Sequence, residues 1–319
     1  MTVPTAVPAL TVGVQALLWA MASGVLFSVL NSLMRVMTLE LPPLQVLNLR
    51  YTGGLVALLP LVLIIGWRKF KPTNVAGQFW RGAAHASGLL LWFSALPLMP
   101  LADTTAIGFT TPLFLMLGAT LFLKEKLIWQ RWGAALVGFA GVLVVVGPRL
   151  SGENWVPALM MLASAPVFAA SYLVTKVLTR HDRPDVIVLW QSLSIAILTL
   201  PLSIYLWQPL EPIQWGIFLL GGAMGSAGHW CLTHALKLAD VSVTQPVKFL
   251  ELIWATLLGY FVFQDEPATT TLLGGGIIIA STLTIARWES RSRRRATAAP
   301  VSSPAGTVAS RSPQSPRSD

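Results

Sequence analysis

Two stretches decide the fold: GVQALLWAMASGVLFSVLNSLMRV, from Gly13 to Val36, and NWVPALMMLASAPVFAASYLVTKV, from Asn154 to Val177. Each is apolar and long enough to cross the roughly 30 Å hydrocarbon core of a bilayer as a helix, which takes about 20 residues. Each carries one cation near its end, Arg35 or Lys176. They also share a register, since a shift of 141 positions lays Ala22, Ser23 and Phe27 on Ala163, Ser164 and Phe168. The same shift lays Pro43 and Pro60 on Pro184 and Pro201, Ala86 on Ala227, Gly118 on Gly259, Glu125 on Glu266 and Gly133 on Gly274. One offset held along so much of the chain marks an internal repeat. The register slips only around the Leu-Ala-Asp turns at Asp103 and Asp240.

Working outward, ten apolar stretches of spanning length emerge: Gly13 to Val36, Leu44 to Gly66, Gly77 to Leu98, Thr104 to Leu123 and Gln130 to Val146, then Asn154 to Val177, Val186 to Trp207, Ile213 to Leu236, Val241 to Phe263 and Thr269 to Ala286. Prolines and polar turns separate them. Composition agrees, with 54% hydrophobic and 11% charged residues in 319, a balance suited to lipid surroundings. The expected fold is therefore an all-α membrane protein of ten transmembrane helices in two repeats, residues 1–147 and 148–286. Five spans per repeat is an odd number, so the second repeat enters the membrane inverted. Paired inverted repeats rock about a shared site near the bilayer midplane, which is the architecture of secondary transporters.

Basic residues set the orientation, because loops rich in Lys and Arg stay in the cytoplasm. Arg68, Lys69, Lys71 and Arg81, then Lys124, Lys126 and Arg131, then Lys176, Arg180 and Arg183, then Lys237, fall on one side, and Arg35 and Arg149 on the other. Both termini are thus expected in the cytoplasm of a multi-pass inner-membrane protein, with an uncleaved first span. The net charge of +9 does not point to nucleic acid, because seven arginines collect in residues 287–319 against Glu289 and Asp319. That Ser/Pro/Ala-rich stretch is expected to be a disordered cytoplasmic tail anchored on anionic lipids of the inner leaflet. The lone Cys231 allows no disulfide framework, and no cofactor is indicated.

Ionisable and polar groups at membrane depth point to a wet cavity. The candidates for substrate binding are Asn31, Arg50, His85, Trp92, Tyr172, Gln191, His229, Gln245, Lys248, Glu251 and Trp254, with Glu251 and His229 as coupling groups. Glu251 near mid-span suits a proton or an ammonium group, Lys248 and Arg50 suit a carboxylate, and the tryptophans can stack an aromatic or cationic ligand. Asn31 and Tyr172 are repeat mates, as are Arg50 and Gln191. The spacing of His85, His229 and His234 matches no metal-ligand motif, so no metal site is expected. The small-residue faces at Gly138 and Gly141, and at Gly221, Gly225 and Gly228, indicate close helix packing or a homodimer.

No phosphate-binding P-loop, zinc-hydrolase motif or nucleophile elbow occurs. Met224-Gly225-Ser226-Ala227-Gly228 lacks the elbow's first glycine. An enzyme is therefore not expected, and a channel or sensor ranks below a carrier. The Ala22-Ser23 pair with the polar face that follows, Leu44 to Arg50, Pro112-Leu113-Phe114, Lys124-Glu125-Lys126, Arg131-Trp132-Gly133 and Gly138-x-x-Gly141-Val142 together resemble the EamA-type transporters of the drug/metabolite transporter superfamily. That resemblance implies ten helices, cytoplasmic termini and a central cavity walled by spans one to four and six to nine, with the fifth and tenth at the periphery. The ninth span departs from the family pattern in Gln245-Pro246-Val247-Lys248-Phe249-Leu250-Glu251. Members include amino-acid exporters and importers of riboflavin and S-adenosylmethionine. The mixed charges favour an amino acid or similar zwitterion as substrate, with a vitamin or nucleoside-like metabolite as the alternative.

Overall fold

The computed structural model describes residues 9–126, 128–150, 155–248 and 251–298, and these contain helices and no strand. The helices are α1 (Ala9–Glu40), α2 (Pro43–Ile65), α3 (Val75–Ala95), α4 (Leu101–Gly108), α5 (Thr111–Phe122), α6 (Trp129–Leu150), α7 (Trp155–Leu178), α8 (Pro184–Tyr205), α9 (Pro212–Leu238), α10 (Val241–Lys248), α11 (Glu251–Phe263) and α12 (Thr269–Ala298). Together α4 and α5 make the fourth span, and α10 and α11 the ninth, giving ten spans in two inverted sets of five.

Local chemistry explains the ends. Pro43, Pro184 and Pro212 open α2, α8 and α9, where the missing N–H costs nothing. Asn74 caps α3, its Oδ1 accepting the Gly77 N–H at 2.8 Å, and Glu211 with Gln214 forms a capping box on α9. The fourth span, expected to be continuous, is broken at Phe109 and Thr110. Pro112 has no N–H to give Gly108, and the chain tightens there through Phe109 N–H to Ala106 O (3.2 Å) and Thr110 N–H to Ile107 O (3.0 Å). The tenth helix also departs from expectation, continuing past Ala286 to Ala298. Arg, Ala and Glu are strong helix formers, and no glycine or proline intervenes. The remainder of the expected tail, residues 299–319, lies outside the described residues.

Packing interleaves the two repeats. Helix α1 lies against α9, α3 against α7, α2 against α8 and α9, and α6 against α12. In a bilayer such contacts rest on close fit, since lipid tails are as apolar as leucine. The α2–α9 crossing brings backbones together: a Cβ on Gly222 would run into the Gly53–Gly54 backbone and lie 2.8 Å from Arg50 O. Gly141 of α6 and Gly274 of α12 meet similarly, so that small-residue face is used within the chain. Outward-facing Leu63, Ile64, Phe122 and Tyr205 are largely exposed, as expected where lipid is the solvent.

Each end of the bundle is tied by a carboxylate on a backbone N–H. At one end Asp265, just past α11, pairs with Arg35 of α1 and accepts the Leu101 N–H that opens α4 (3.2 Å). At the other, Glu125, just past α5, accepts the Val241 N–H that opens α10 (3.2 Å). Lys176 there donates to Leu236 O (2.6 Å) and Ala239 O (2.7 Å) at the C-terminus of α9, where a cation meets the free carbonyls.

Candidate functional site

Halfway along the helices lies a cavity of about 110 Å3. Helical spacing builds its walls. Helix α1 contributes Phe27, Leu30 and Asn31, α3 contributes His85, Leu89, Trp92 and Phe93, and α7 contributes Phe168 and Tyr172. The interruption in the fourth span opens onto it through Gly108, Phe109, Thr111 and Pro112. A Cβ on Gly108 would sit 3.1 Å from the Trp92 ring, so glycine here makes room for the indole. Arg50, His229, Lys248 and Glu251 complete the lining. The fifth, seventh and tenth spans contribute none of these residues.

The aromatic rings form a layered wall. Phe168 and Tyr172 stack with centroids 6.4 Å apart, and Trp92 meets Phe168 edge-on at 6.1 Å. His85 is edge-on to His229 at 5.1 Å and to Tyr172 at 5.8 Å. His229 Nε2 lies 3.3 Å from Gln191 Nε2 and 3.5 Å from Tyr51 Oη. Lys248 Nζ stands 5.1 Å over the Tyr172 ring, and no ion pair joins it to Glu251 among the described residues. Glu251 lies against Gly24, where a Cβ would come within 3.0 Å of its Cγ.

Of the sequence-derived candidates, Asn31, Arg50, His85, Trp92, Tyr172, His229, Lys248 and Glu251 come together on this one cavity. Gln191 does not line it. It is fully buried one layer behind, where Oε1 accepts from Arg81 Nη2 at 2.7 Å while its amide faces His229. Trp254 is also misplaced by the sequence reading: it is 44% exposed on the outer surface, because Ala255, 100° further round α11, takes the inward position. The Gln245 side chain lies outside the described residues.

Arg81 was missed. Its sequence position, near the start of the Gly77 to Leu98 stretch, groups it with the cytoplasmic-side cations, yet it is 1% exposed in α3, bound to Thr175 Oγ1, Ile187 O (3.2 Å) and Gln191. The available signal was Asn74, whose cap starts α3 early enough to put Arg81 in the second turn. His234 stands apart from the other two histidines, packed on Trp230 at 4.2 Å and Trp19 at 5.5 Å.

A cavity shared by two inverted five-helix repeats defines a class, and the profile of the EamA-like transporter family matches residues 14–147 and 155–287. The chain belongs to that family, and it is a multi-pass membrane carrier of small metabolites. It is 31% identical over 287 residues to a riboflavin transporter of Vibrio cholerae, covering 88% of this chain and 96% of the relative. It is 27% identical over 278 residues to an S-adenosylmethionine uptake transporter of Rickettsia conorii, covering 87% and 94%. It is 25% identical over 276 residues to the pseudopaline exporter CntI of Pseudomonas aeruginosa, covering 85% and 95%. A crystal structure at 21% identity superposes with a TM-score of 0.69 over 87% of this chain and 98% of the other, which supports the fold.

Proposed function

We propose that the chain is an uptake carrier for a vitamin or nucleoside-like heterocycle, working by alternating access across the inner membrane with both termini in the cytoplasm. The observation that carries this is the cavity itself, walled by rings from both repeats and holding Arg50, Lys248 and Glu251. Rings favour stacking of a flat heterocycle. Two of the relatives that match along most of the chain are named for a flavin and for a sulfonium nucleoside. They support the heterocycle over the amino acid that the mixed charges alone suggest.

Energy comes from a gradient or exchange in this reading, with Glu251 and His229 as the coupling groups. The cavity is smaller than the roughly 300–1,000 Å3 of pockets for drug-sized ligands, so in this reading the repeats separate to admit substrate. The arginine-rich sequence from Arg287 onward suits the anionic cytoplasmic leaflet, in keeping with a cytoplasmic C-terminus in this reading.

The direct test is uptake of radiolabelled riboflavin and S-adenosylmethionine by cells expressing the full chain, against a matched panel of amino acids. Saturable heterocycle uptake that survives ATP depletion is the expected result. Amino-acid flux with no heterocycle flux would reject the proposal.

A further inference from the structure

We infer that Arg50 is the specificity residue of the cavity, and that the cavity accepts a neutral or anionic flat heterocycle with paired carbonyl acceptors while excluding a net cation. This rests on the heterocycle reading above and narrows it.

Arg50 is 4% exposed, and its Nε and Nη1 have no hydrogen-bond partner. No carboxylate lies within ion-pair distance of it among the described residues. Its plane is set by what surrounds it. The guanidinium carbon is 4.2 Å from the Tyr51 ring centroid, and a Cβ on Gly225 would lie 2.5 Å from Nη2 and 3.0 Å from Nε. Glycine at position 225 therefore gives the guanidinium its room. A buried cation with idle donors is costly unless something supplies acceptors, and a ligand in the cavity it lines is the available source.

The remaining charges set a sign. Arg50 and Lys248 face one carboxylate, Glu251, whose Oε1 is also buried without a partner. His85 and His229 add no negative charge whatever their protonation. Their Nδ1 atoms are likewise unpartnered. Such a lining repels a second cation at short range in a low-dielectric site, and rejection of this kind is a source of specificity. The idle donors of Arg50 suit the paired acceptors of a dione edge, two carbonyls flanking an imide N–H. A sulfonium nucleoside offers an aromatic ring and no such edge, and it brings positive charge.

The test uses the full chain in proteoliposomes with three probes: riboflavin, which is neutral; riboflavin 5′-phosphate, an anion; and S-adenosylmethionine, a net cation. The expected result is binding of at least one flavin, with S-adenosylmethionine competing at least 10-fold more weakly. Arg50→Gln should weaken flavin binding at least 10-fold while narrowing the gap to the sulfonium, and Arg50→Lys should recover flavin binding in part. Elution as a single folded species controls for stability, and Gly225→Ala, which crowds the guanidinium from outside the cavity, should weaken flavin in the same direction. S-adenosylmethionine binding as tightly as flavin, or equal losses of all probes in Arg50→Gln, would overturn the charge rule and leave the carrier reading standing. Failure of the wild-type chain to bind any of the three would overturn both.

Discussion

At the scale of single residues, the site divides into groups that face the cavity and groups that hold them. Glu251 faces it, and the coupling role proposed for it predicts an all-or-none response: Glu251→Gln is expected to abolish gradient-driven flux while the protein still elutes folded, and retained driven flux would rule out that role. Arg81 holds. It ties α3 to α7 and α8, and it orients Gln191, whose amide meets His229. Replacing Arg81 with Met leaves the buried Gln191 oxygen without its donor, at about 1–3 kcal/mol. The expected outcome is a lowered unfolding temperature in detergent and weakened ligand binding, whereas an unchanged melting curve would show that water replaces the guanidinium. The sequence showed the facing groups because charge inside an apolar run is conspicuous. It hid Arg81, because a cation two turns into a helix looks the same in a string of letters as one in a loop.

At the scale of elements, glycine decides which helices can approach. Gly222 admits the α2 backbone at Gly53 and Gly54, while Gly276 of α12 has nothing within 4 Å of the position a Cβ would take. The two should answer oppositely to alanine. Gly222→Ala forces the helices apart, which costs about 1–3 kcal/mol, and Gly276→Ala gains helix propensity of up to about 1 kcal/mol. Parallel thermal unfolding of the two variants measures both signs. Span positions and the inverted repeat were legible because hydropathy acts locally, whereas Pro43, Pro184 and Pro212, read as separators, turn out to open their helices. The break in the fourth span was only half legible: Pro112 announces that a hydrogen bond is lost, but whether a helix bends or stops depends on the cavity it opens onto. The facing of Trp254 was not legible, because the ring belongs to whichever side the neighbouring helices leave uncovered.

At the scale of the whole molecule, the two repeats are mates and their end ties are nearly so. Arg35 and Lys176 correspond under the repeat, and Asp265 precedes Glu266, the mate of Glu125. Chemistry separates the ends: the guanidinium meets its carboxylate directly, while the lysine grips two carbonyls. A rocking carrier must release one tie at a time, so weakening one should bias the cavity toward that end. Asp265→Asn loses the charge on a mostly buried pair, worth about 1.5–3 kcal/mol for hydrogen bonds to charged groups, enough to move a two-state population roughly tenfold or more. Glu125→Gln should do the converse. The readout is labelling of Thr105→Cys, a cavity position, by a membrane-impermeant maleimide in a Cys231→Ser background. If the Arg35 end faces the periplasm, Asp265→Asn raises labelling in intact cells and Glu125→Gln raises it in inverted vesicles. Increases from the same side in both variants, or in neither, would mean that the ties brace the fold without gating it.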